Sequence, residues 1–196
     1  LIACNQRPES EPYSEDNIVS VFWDSKAFAL EAKDVGEFKY PDIKETDLTE
    51  PYTYISSICW GPVTALKSSG EGVVILPHPS SRYDFKIMRF QLTTTQTLAL
   101  KHELFNAGLF SLASAYSANV YDGTQRYLYY QSASLHQSVS MDNHFPPAAL
   151  KVFQVEKEFL PNPSIVEKST ETLKGEPAAE IIREFGLKGK TWWGFK

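Results

Sequence analysis

Residues 92–109 read LTTTQTLALKHELFNAGL and carry the start, the body and the end of one helix. Thr93 and Gln96 match a capping box, in which each side chain bonds the other residue's backbone N–H. An apolar stripe follows at helical spacing, made of Leu98, Leu100, Leu104 and Phe105. Gly108 then offers the left-handed conformation that ends many helices. We therefore predict a helix over residues 93–107.

Strand patterns flank this helix on both sides. Residues 82–92 alternate between two faces with a period of two, which is typical of a half-buried strand. Asp122-Gly123 is a strong hairpin-turn dipeptide, and it separates residues 117–121 from residues 125–131. A second reversal leads into residues 135–140. The pattern predicts a meander of three consecutive antiparallel strands.

The rest of the chain adds a second helix and more strands. Pro146 and Pro147 start a helix at its first turn, where the missing N–H of proline costs nothing, and we predict it over residues 147–160. β-rich or apolar runs predict strands at residues 18–23, 52–60 and 72–76. Residues 38–48 carry scattered charges and a proline, so we predict a loop. These elements indicate an α+β fold with a mostly antiparallel sheet and two main helices.

Composition limits the class of protein and its organisation. The chain has 196 residues, 42% hydrophobic and 22% charged, which suits one domain with extended ends. A formal net charge of −5 argues against nucleic acid as a partner, because such binding needs a basic face. We expect residues 1–17 to be a tether, residues 18–160 a single domain, and residues 161–196 an extension with a short helix at 177–185 and an aromatic tail.

The N-terminal residues suggest where in the cell the protein is located. The chain opens Leu1-Ile2-Ala3-Cys4, and residues 5–17 contain no aliphatic residue but many Glu, Ser and Pro. These features resemble the lipobox and tether of bacterial lipoproteins. The resemblance implies cleavage before Cys4, lipid on Cys4, and a membrane-anchored position outside the cytoplasm. The alternative is a secreted binding protein closed by a Cys4–Cys59 disulfide. With Cys4 acylated, Cys59 would be a small buried apolar residue.

A second resemblance covers residues 90–159. The order of motifs is a Leu-Thr-x-x-Gln helix start at residue 92, Ala-Gly-Leu-Phe at residue 107, Asp-Gly-Thr at residue 122 and a helix started by proline. This order resembles uncharacterised extracytoplasmic domains of bacteria. The resemblance implies an α+β fold and brings no activity with it.

Two groups of residues could carry enzymatic chemistry. His78 could act as a base for Ser80 or Ser81, with Asp84 orienting it, although the chain has no nucleophile-elbow motif. A set of two histidines and a carboxylate could bind zinc or iron, and its members are His136, Asp142 and His144. The spacing fits no established metal motif, and a polar loop is the simpler explanation. A small hydrolase or metal-dependent enzyme is therefore the rival interpretation.

Aromatic residues are the remaining functional hint. Tyrosines cluster on one predicted strand and tryptophans near the C-terminus, namely Tyr127, Tyr129, Tyr130, Trp192 and Trp193. Exposed clusters of this kind bind proteins or carbohydrates. The structural alternative is that the tyrosines cover the sheet and the tail packs on the body. We expect a lipid-anchored, non-enzymatic domain without a cofactor. Its partners would be the membrane and a protein or carbohydrate.

Overall fold

The computed structural model describes residues 34–59, 61–77, 84–118, 123–161, 172–174 and 183–185. Within them, strands form one sheet and two α-helices accompany it, which confirms the predicted α+β class. The strands are β1 Asp34–Val35, β2 Thr53–Ile58, β3 Val63–Lys67, β4 Glu71–Pro77, β5 Asp84–Gln91, β6 Ala115–Ser117, β7 Gln125–Gln131, β8 His136–Asp142 and β9 Thr172–Lys174. The helices are α1 Thr94–Asn106 and α2 Pro147–Phe159, with short 3₁₀ helices at Glu45–Leu48 and Leu109–Ser111.

The sheet is mostly antiparallel, as predicted. Its strand order is β1-β6-β8-β7-β2-β3-β4-β5-β9, and among the pairs of described strands only β6–β8 is parallel. The predicted meander is half right, because β7 and β8 form the expected hairpin. Most of the predicted first strand at 117–121 and the turn residue Asp122 lie outside the described residues, and β6, which ends at Ser117, pairs with β8 and not with β7. The other edge of β7 is occupied by β2, so β6 can join the sheet only outside β8.

Helix α1 confirms the capping signal in detail. The Thr93 hydroxyl accepts a hydrogen bond from the Gln96 backbone N–H at 3.3 Å, and the Gln96 side chain accepts one from the Thr93 N–H at 2.9 Å. Gly108 follows the helix with φ +89°, in the left-handed region. The predicted stripe was wrong at Leu98, which is 42% exposed. The buried face runs along Thr97, Leu100, Lys101 and Leu104, so Leu98 points away from it.

Helix α2 begins where the proline pair predicts. Pro146 is its N-cap and Pro147 is its first residue, where proline needs no hydrogen-bond acceptor. The helix buries one face against the sheet and packs beside α1. The buried residues of this face are Ala149, Val152, Phe153, Val155 and Glu156. Four of the five are apolar, which leaves Glu156 as the member that needs a partner.

Alternation along the strands gives the sheet two buried faces. We call the face under α1 and α2 the helix face, and it includes Tyr54 of β2 and Leu128 of β7. The opposite face forms a second apolar core that includes Ile55 and Tyr129, the next residues along the same strands. Phe185 packs against this second core. Both faces of the sheet therefore lie within apolar cores.

Some elements differ from the sequence prediction or lie outside the described residues. Strand β2 lies within the strand predicted at 52–60, but β3 follows at once and was not predicted. Residues 38–48, predicted as a loop, contain a 3₁₀ helix at Glu45–Leu48. The tether at 1–17, the predicted strand at 18–23 and the aromatic tail lie outside the described residues. Of the predicted helix at 177–185, the structure describes only residues 183–185.

Candidate functional site

The three tyrosines of β7 do not form one exposed surface. Tyr130 belongs to the helix face and is fully buried. Tyr129 belongs to the opposite core and is also buried. Tyr127 is half-buried on the same side as Tyr129, and its hydroxyl lies 2.9 Å from the Ser138 hydroxyl. The structural alternative, in which alternate tyrosines cover the two faces of a sheet, describes this strand better than a binding patch does.

The histidine set considered for a metal is spread along one strand. His136 begins β8 and Asp142 ends it. A strand rises about 3.3 Å per residue, so about 20 Å separate these two residues. The rings of His136 and His144 contact different tyrosines, Tyr129 and Tyr116 respectively. These side chains do not form one metal site, and within the described residues no three His, Cys, Asp or Glu side chains do.

Several predicted site residues lie outside the part of the chain that the structure describes. These are Cys4, His78, Ser80, Ser81, Trp192 and Trp193. Cys59 is described, and it is half-buried just after β2, where its backbone N–H donates to the Gln125 carbonyl at 2.9 Å. The lipid anchor, the disulfide alternative and the hydrolase interpretation therefore all remain predictions.

The largest exposed apolar feature is one that the sequence did not single out. Among the described residues, five large hydrophobic side chains are exposed, and four of them lie within residues 34–43. These four are Val35, Phe38, Tyr40 and Ile43. Tyr40 is 70% exposed, and its ring stacks on that of Phe38 with centroids 5.6 Å apart and an interplanar angle of 5°. We call residues 34–43 the edge segment.

Backbone hydrogen bonds fix the first half of the edge segment to the sheet. Among the strands that the structure describes, β1 is the outermost on this side and pairs with β6. The Gly36 N–H donates to the Ala115 carbonyl, and the Ser114 N–H donates to the Glu37 carbonyl, both at 2.8 Å. A Cβ on Gly36 would lie 2.4 Å from the Ser114 hydroxyl, so glycine permits this close approach. Backbone hydrogen bonds thus hold Val35 and Phe38, but not the second half of the edge segment, against the neighbouring chain.

A buried charged network lies under α2. Arg126 of β7 and Glu156 of α2 form an ion pair with N and O 2.5 Å apart, and both side chains are only 10% exposed. The Tyr54 hydroxyl donates to the other Glu156 oxygen at 2.5 Å. Arg126 also donates to the Ser56 hydroxyl at 3.1 Å, and its guanidinium lies 3.5 Å from the centroid of the Phe153 ring. Every charge in this network has a partner, which identifies it as structural.

A second cluster of polar residues lies at the end of the helix face, where the 3₁₀ helix at Glu45–Leu48 meets the turn between β7 and β8. The Ser134 hydroxyl is 2.7 Å from a carboxylate oxygen of Asp47 and 2.7 Å from one of Glu50. Lys101 is fully buried, and its ammonium donates to the backbone carbonyls of Asp47 and Glu50 at 2.5 and 2.8 Å. We call Asp47, Glu50, Ser132 and Ser134 the carboxylate cluster.

Hydrogen bonding holds both carboxylates of this cluster in the ionised form. The backbone N–H of Lys44, followed by the Ser134 hydroxyl, lowers the pKa of Asp47. The Ser134 hydroxyl, followed by the Ser134 N–H, lowers the pKa of Glu50. Burial lowers the pKa of the Lys101 ammonium, which the two backbone carbonyls hold in place. The cluster therefore presents two negative charges beside a fixed lysine.

Over the described residues the fold is α+β, with one sheet, two α-helices on one face and an exposed apolar edge. No protein-family model matches the chain, and no curated protein is significantly similar to it. None of the helices in the described ranges combines the length and apolar character needed to cross a bilayer.

Proposed function

We propose that this protein is a non-enzymatic binding domain, anchored to a membrane outside the cytoplasm through Cys4, that binds a protein partner with its edge segment. The observation that carries this proposal is the concentration of exposed apolar side chains on residues 34–43. Monomeric proteins rarely expose contiguous apolar patches without using them. The stacked pair of Phe38 and Tyr40 supplies a preformed aromatic centre, which reduces the ordering cost of association.

The chemistry of the edge segment favours a protein over a sugar or a lipid surface. Val35 and Ile43 are exposed aliphatic residues of the same segment, and charged residues stand between the apolar ones along the sequence, a mixture that protein interfaces also have. Residues 34–45 carry four carboxylates against two lysines, which disfavours an anionic lipid surface. The complementary partner surface is apolar at its centre and net basic around it. Because β1 is an edge strand, an extended partner segment could also pair with its backbone.

The anchor is tested by fractionating the full-length product expressed with a leader in its bacterial host. Wild-type protein should enter the membrane fraction and a detergent phase, and its intact mass should include lipid on Cys4. Cys4→Ser should move it to the soluble fraction, because several acyl chains on one residue give stable anchoring. Soluble wild-type protein with a Cys4–Cys59 disulfide would support the secreted alternative instead.

The binding surface is tested by placing a photo-reactive amino acid at Phe38 or Tyr40 of the anchored protein in cells. The matched control is position Leu98, an exposed apolar residue on α1. Irradiation should give one discrete protein adduct from the edge segment and not from position 98. Lipid adducts, sugar adducts or identical patterns at both places would contradict a specific protein interface.

Affinity measurements with the purified partner decide whether the adduct reflects binding. Phe38→Ser combined with Tyr40→Ser should weaken binding at least about tenfold, because buried aromatic residues carry much of the energy of an interface. Leu98→Ser should leave the affinity unchanged. Equal affinities for both variants would show that the edge segment does not form the binding surface.

A further inference from the structure

We propose that the edge segment binds its partner by strand addition, in which an extended chain of alternating apolar and basic residues pairs with the backbone of β1. This mode of binding rests on the proposed function, because it applies only if the edge segment is the binding surface. A strand added to a sheet edge obtains affinity from main-chain hydrogen bonds and specificity from its alternate side chains. The direction of the backbone groups, the exposed apolar side chains and the charge of the edge segment each fit this mode.

The backbone N–H and C=O of Val35 point away from the sheet. In an antiparallel pair, residues whose backbone groups bond the neighbouring strand alternate with residues whose groups point outward. The Gly36 N–H donates to the Ala115 carbonyl at 2.8 Å, so the adjacent Val35, which lies opposite Tyr116, is an outward-pointing residue. Strand β1 is the last of the described strands on this side. Val35 therefore offers one donor and one acceptor to an incoming strand.

Two exposed apolar side chains of the edge segment lie on the same side of the sheet as the helices. Val35 is opposite Tyr116 and Phe38 is opposite Ala113, and both of these partners belong to the core of the helix face. Directly paired residues present their side chains on the same face of a sheet. Val35 and Phe38 are each 48% exposed. Apolar side chains of an added strand would cover them and would extend the helix-face core by one strand.

The charges of the edge segment favour a basic partner chain. Asp34 is exposed and directly precedes Val35, so its side chain lies on the other face of β1. A lysine or arginine beside Asp34 on the added strand would form a cross-strand pair of opposite charge. A second copy of this chain fits less well, because its own edge carries the same excess of carboxylates, four against two lysines over residues 34–45. The partner therefore alternates apolar residues on the helix side with basic residues on the other side.

The first test uses the full chain and a synthetic peptide of alternating valine and lysine with blocked ends. Amide hydrogen exchange measured by NMR reports each backbone N–H separately, and exchange slows when an N–H is hydrogen-bonded. Saturating peptide should slow the exchange of the Val35 N–H about tenfold, the worth of one hydrogen bond. The Gly36 N–H is already bonded to Ala115, so it is the internal reference and should change much less. No binding, or binding that leaves the exchange at Val35 unchanged, would overturn strand addition.

A second peptide separates strand addition from the general attraction of a cation to an acidic protein. Replacing the central valine of the peptide by proline keeps its charge but removes a main-chain donor and disfavours pairing. This peptide should bind at least about threefold more weakly, since a lost hydrogen bond alone accounts for such a factor. Equal affinities of the two peptides would show that charge alone drives binding, and strand addition would then be wrong.

Matched variants of the protein remove the backbone donor from the other side. Proline is tolerated in an edge strand where its missing N–H would face outward, so Val35→Pro should keep the pairing of β1 with β6. Val35→Thr retains the N–H and the branched shape and is the control. Val35→Pro should bind the valine–lysine peptide about 2- to 10-fold more weakly than Val35→Thr does. Equal affinities would contradict strand addition. If Val35→Pro folds poorly, the exchange of the Val35 N–H in the wild type still decides.

Measurements with the natural partner distinguish a failure of strand addition from a failure of the proposed function. A protein adduct at Phe38 or Tyr40, together with equal partner affinities for Val35→Pro and Val35→Thr, would mean that the edge segment binds through its side chains alone. The proposed function would then stand, and strand addition would be wrong. The absence of any protein adduct at these positions would overturn both. Dimerisation of the chain without peptide, measured by sedimentation and abolished by Val35→Pro, would identify a second copy as the occupant and would overturn the basic partner.

Discussion

The helix face of the sheet buries Arg126, Glu156 and Lys101, whereas the opposite face, over the residues that the structure describes, buries no charged side chain. The opposite core consists of apolar side chains from β2, β3, β4, β5 and β7, closed in part by Phe185. Charged groups on that side stay near the surface, as in the partly exposed pair of Arg89 and Glu184 with N and O 3.0 Å apart.

The difference shows what permits charge to be buried in this fold. An isolated buried charge is expensive, and it is tolerated only with a partner and further hydrogen bonds. Helix α2 brings Glu156 to Arg126. The 3₁₀ helix at Glu45–Leu48 and the residues just after it bring the carbonyls of Asp47 and Glu50 to Lys101. On the described part of the opposite face, Glu184 reaches across to Arg89, but both side chains stay partly exposed. The two faces should therefore respond differently to substitution.

Breaking the ion pair on the helix face should have the largest effect. Glu156→Ala leaves Arg126 buried without its carboxylate and removes the acceptor of the Tyr54 hydroxyl. We expect the free energy of unfolding to fall by about 3–5 kcal/mol, measured by urea denaturation. The control Glu158→Ala, at an exposed position on the same helix, should change it by less than about 0.5 kcal/mol. Equal losses would mean that the pair is solvated.

Truncating the apolar part of the same face should have a similar or slightly smaller effect. Leu104 is fully buried between α1 and the sheet, so Leu104→Ala removes buried area and leaves a cavity. We expect a loss of about 2–5 kcal/mol in chemical denaturation. Leu98→Ala, one and a half turns earlier and 42% exposed, is the control and should cost much less. A loss at Leu104 as small as at Leu98 would contradict the assigned face of α1.

The features that could be predicted from the sequence are those whose hydrogen bonds and backbone conformation involve only residues a few positions apart. The Thr93 capping box, the proline start of α2 and the left-handed Gly108 each satisfy local backbone requirements, and the structure has all three. The alternation in residues 82–92 likewise predicts β5. Each of these signals depends on sequence neighbours, so it does not need knowledge of the fold.

The features that could not be predicted depend on distant partners. Lys101 is buried because it meets carbonyls 51 and 54 residues earlier in the chain. Glu156 is buried because it meets Arg126, 30 residues away, and Tyr54, 102 residues away. A charged residue on a helix is normally exposed, so nothing local identifies these two as buried. The position of β6 beside β8 also depends on β2 occupying β7.

A conservative substitution on the opposite face should lower the free energy of unfolding by a smaller amount. It tests whether the core on that face is packed as tightly as the core on the helix face. Ile87 of β5 is fully buried among apolar neighbours. Ile87→Val removes one methyl group, and we expect a loss of about 0.5–1.5 kcal/mol in urea denaturation. Met88→Leu on the same strand, at a half-buried position, is the control for effects on strand formation. No measurable loss at Ile87 would mean that this core adapts more easily than the helix face.

Acidification should have the smallest effect, and it tests the carboxylate cluster at the end of the helix face. The pKa of Asp47 is lowered below its usual 3.8, chiefly by the Lys44 N–H and then by the Ser134 hydroxyl. A lowered folded-state pKa means that ionised Asp47 contributes stability above the unfolded-state pKa. That contribution is lost as the pH falls through the folded-state pKa. The variant Asp47→Asn lacks the contribution at every pH. The stability difference between wild type and Asp47→Asn should therefore be largest near neutral pH and should shrink as the pH falls below about 4. Urea unfolding at several pH values measures this difference. A difference that stays constant or grows on acidification would show that these hydrogen bonds do not favour the ionised carboxylate, and the helix face would then differ from the opposite face by its buried ion pair and Lys101.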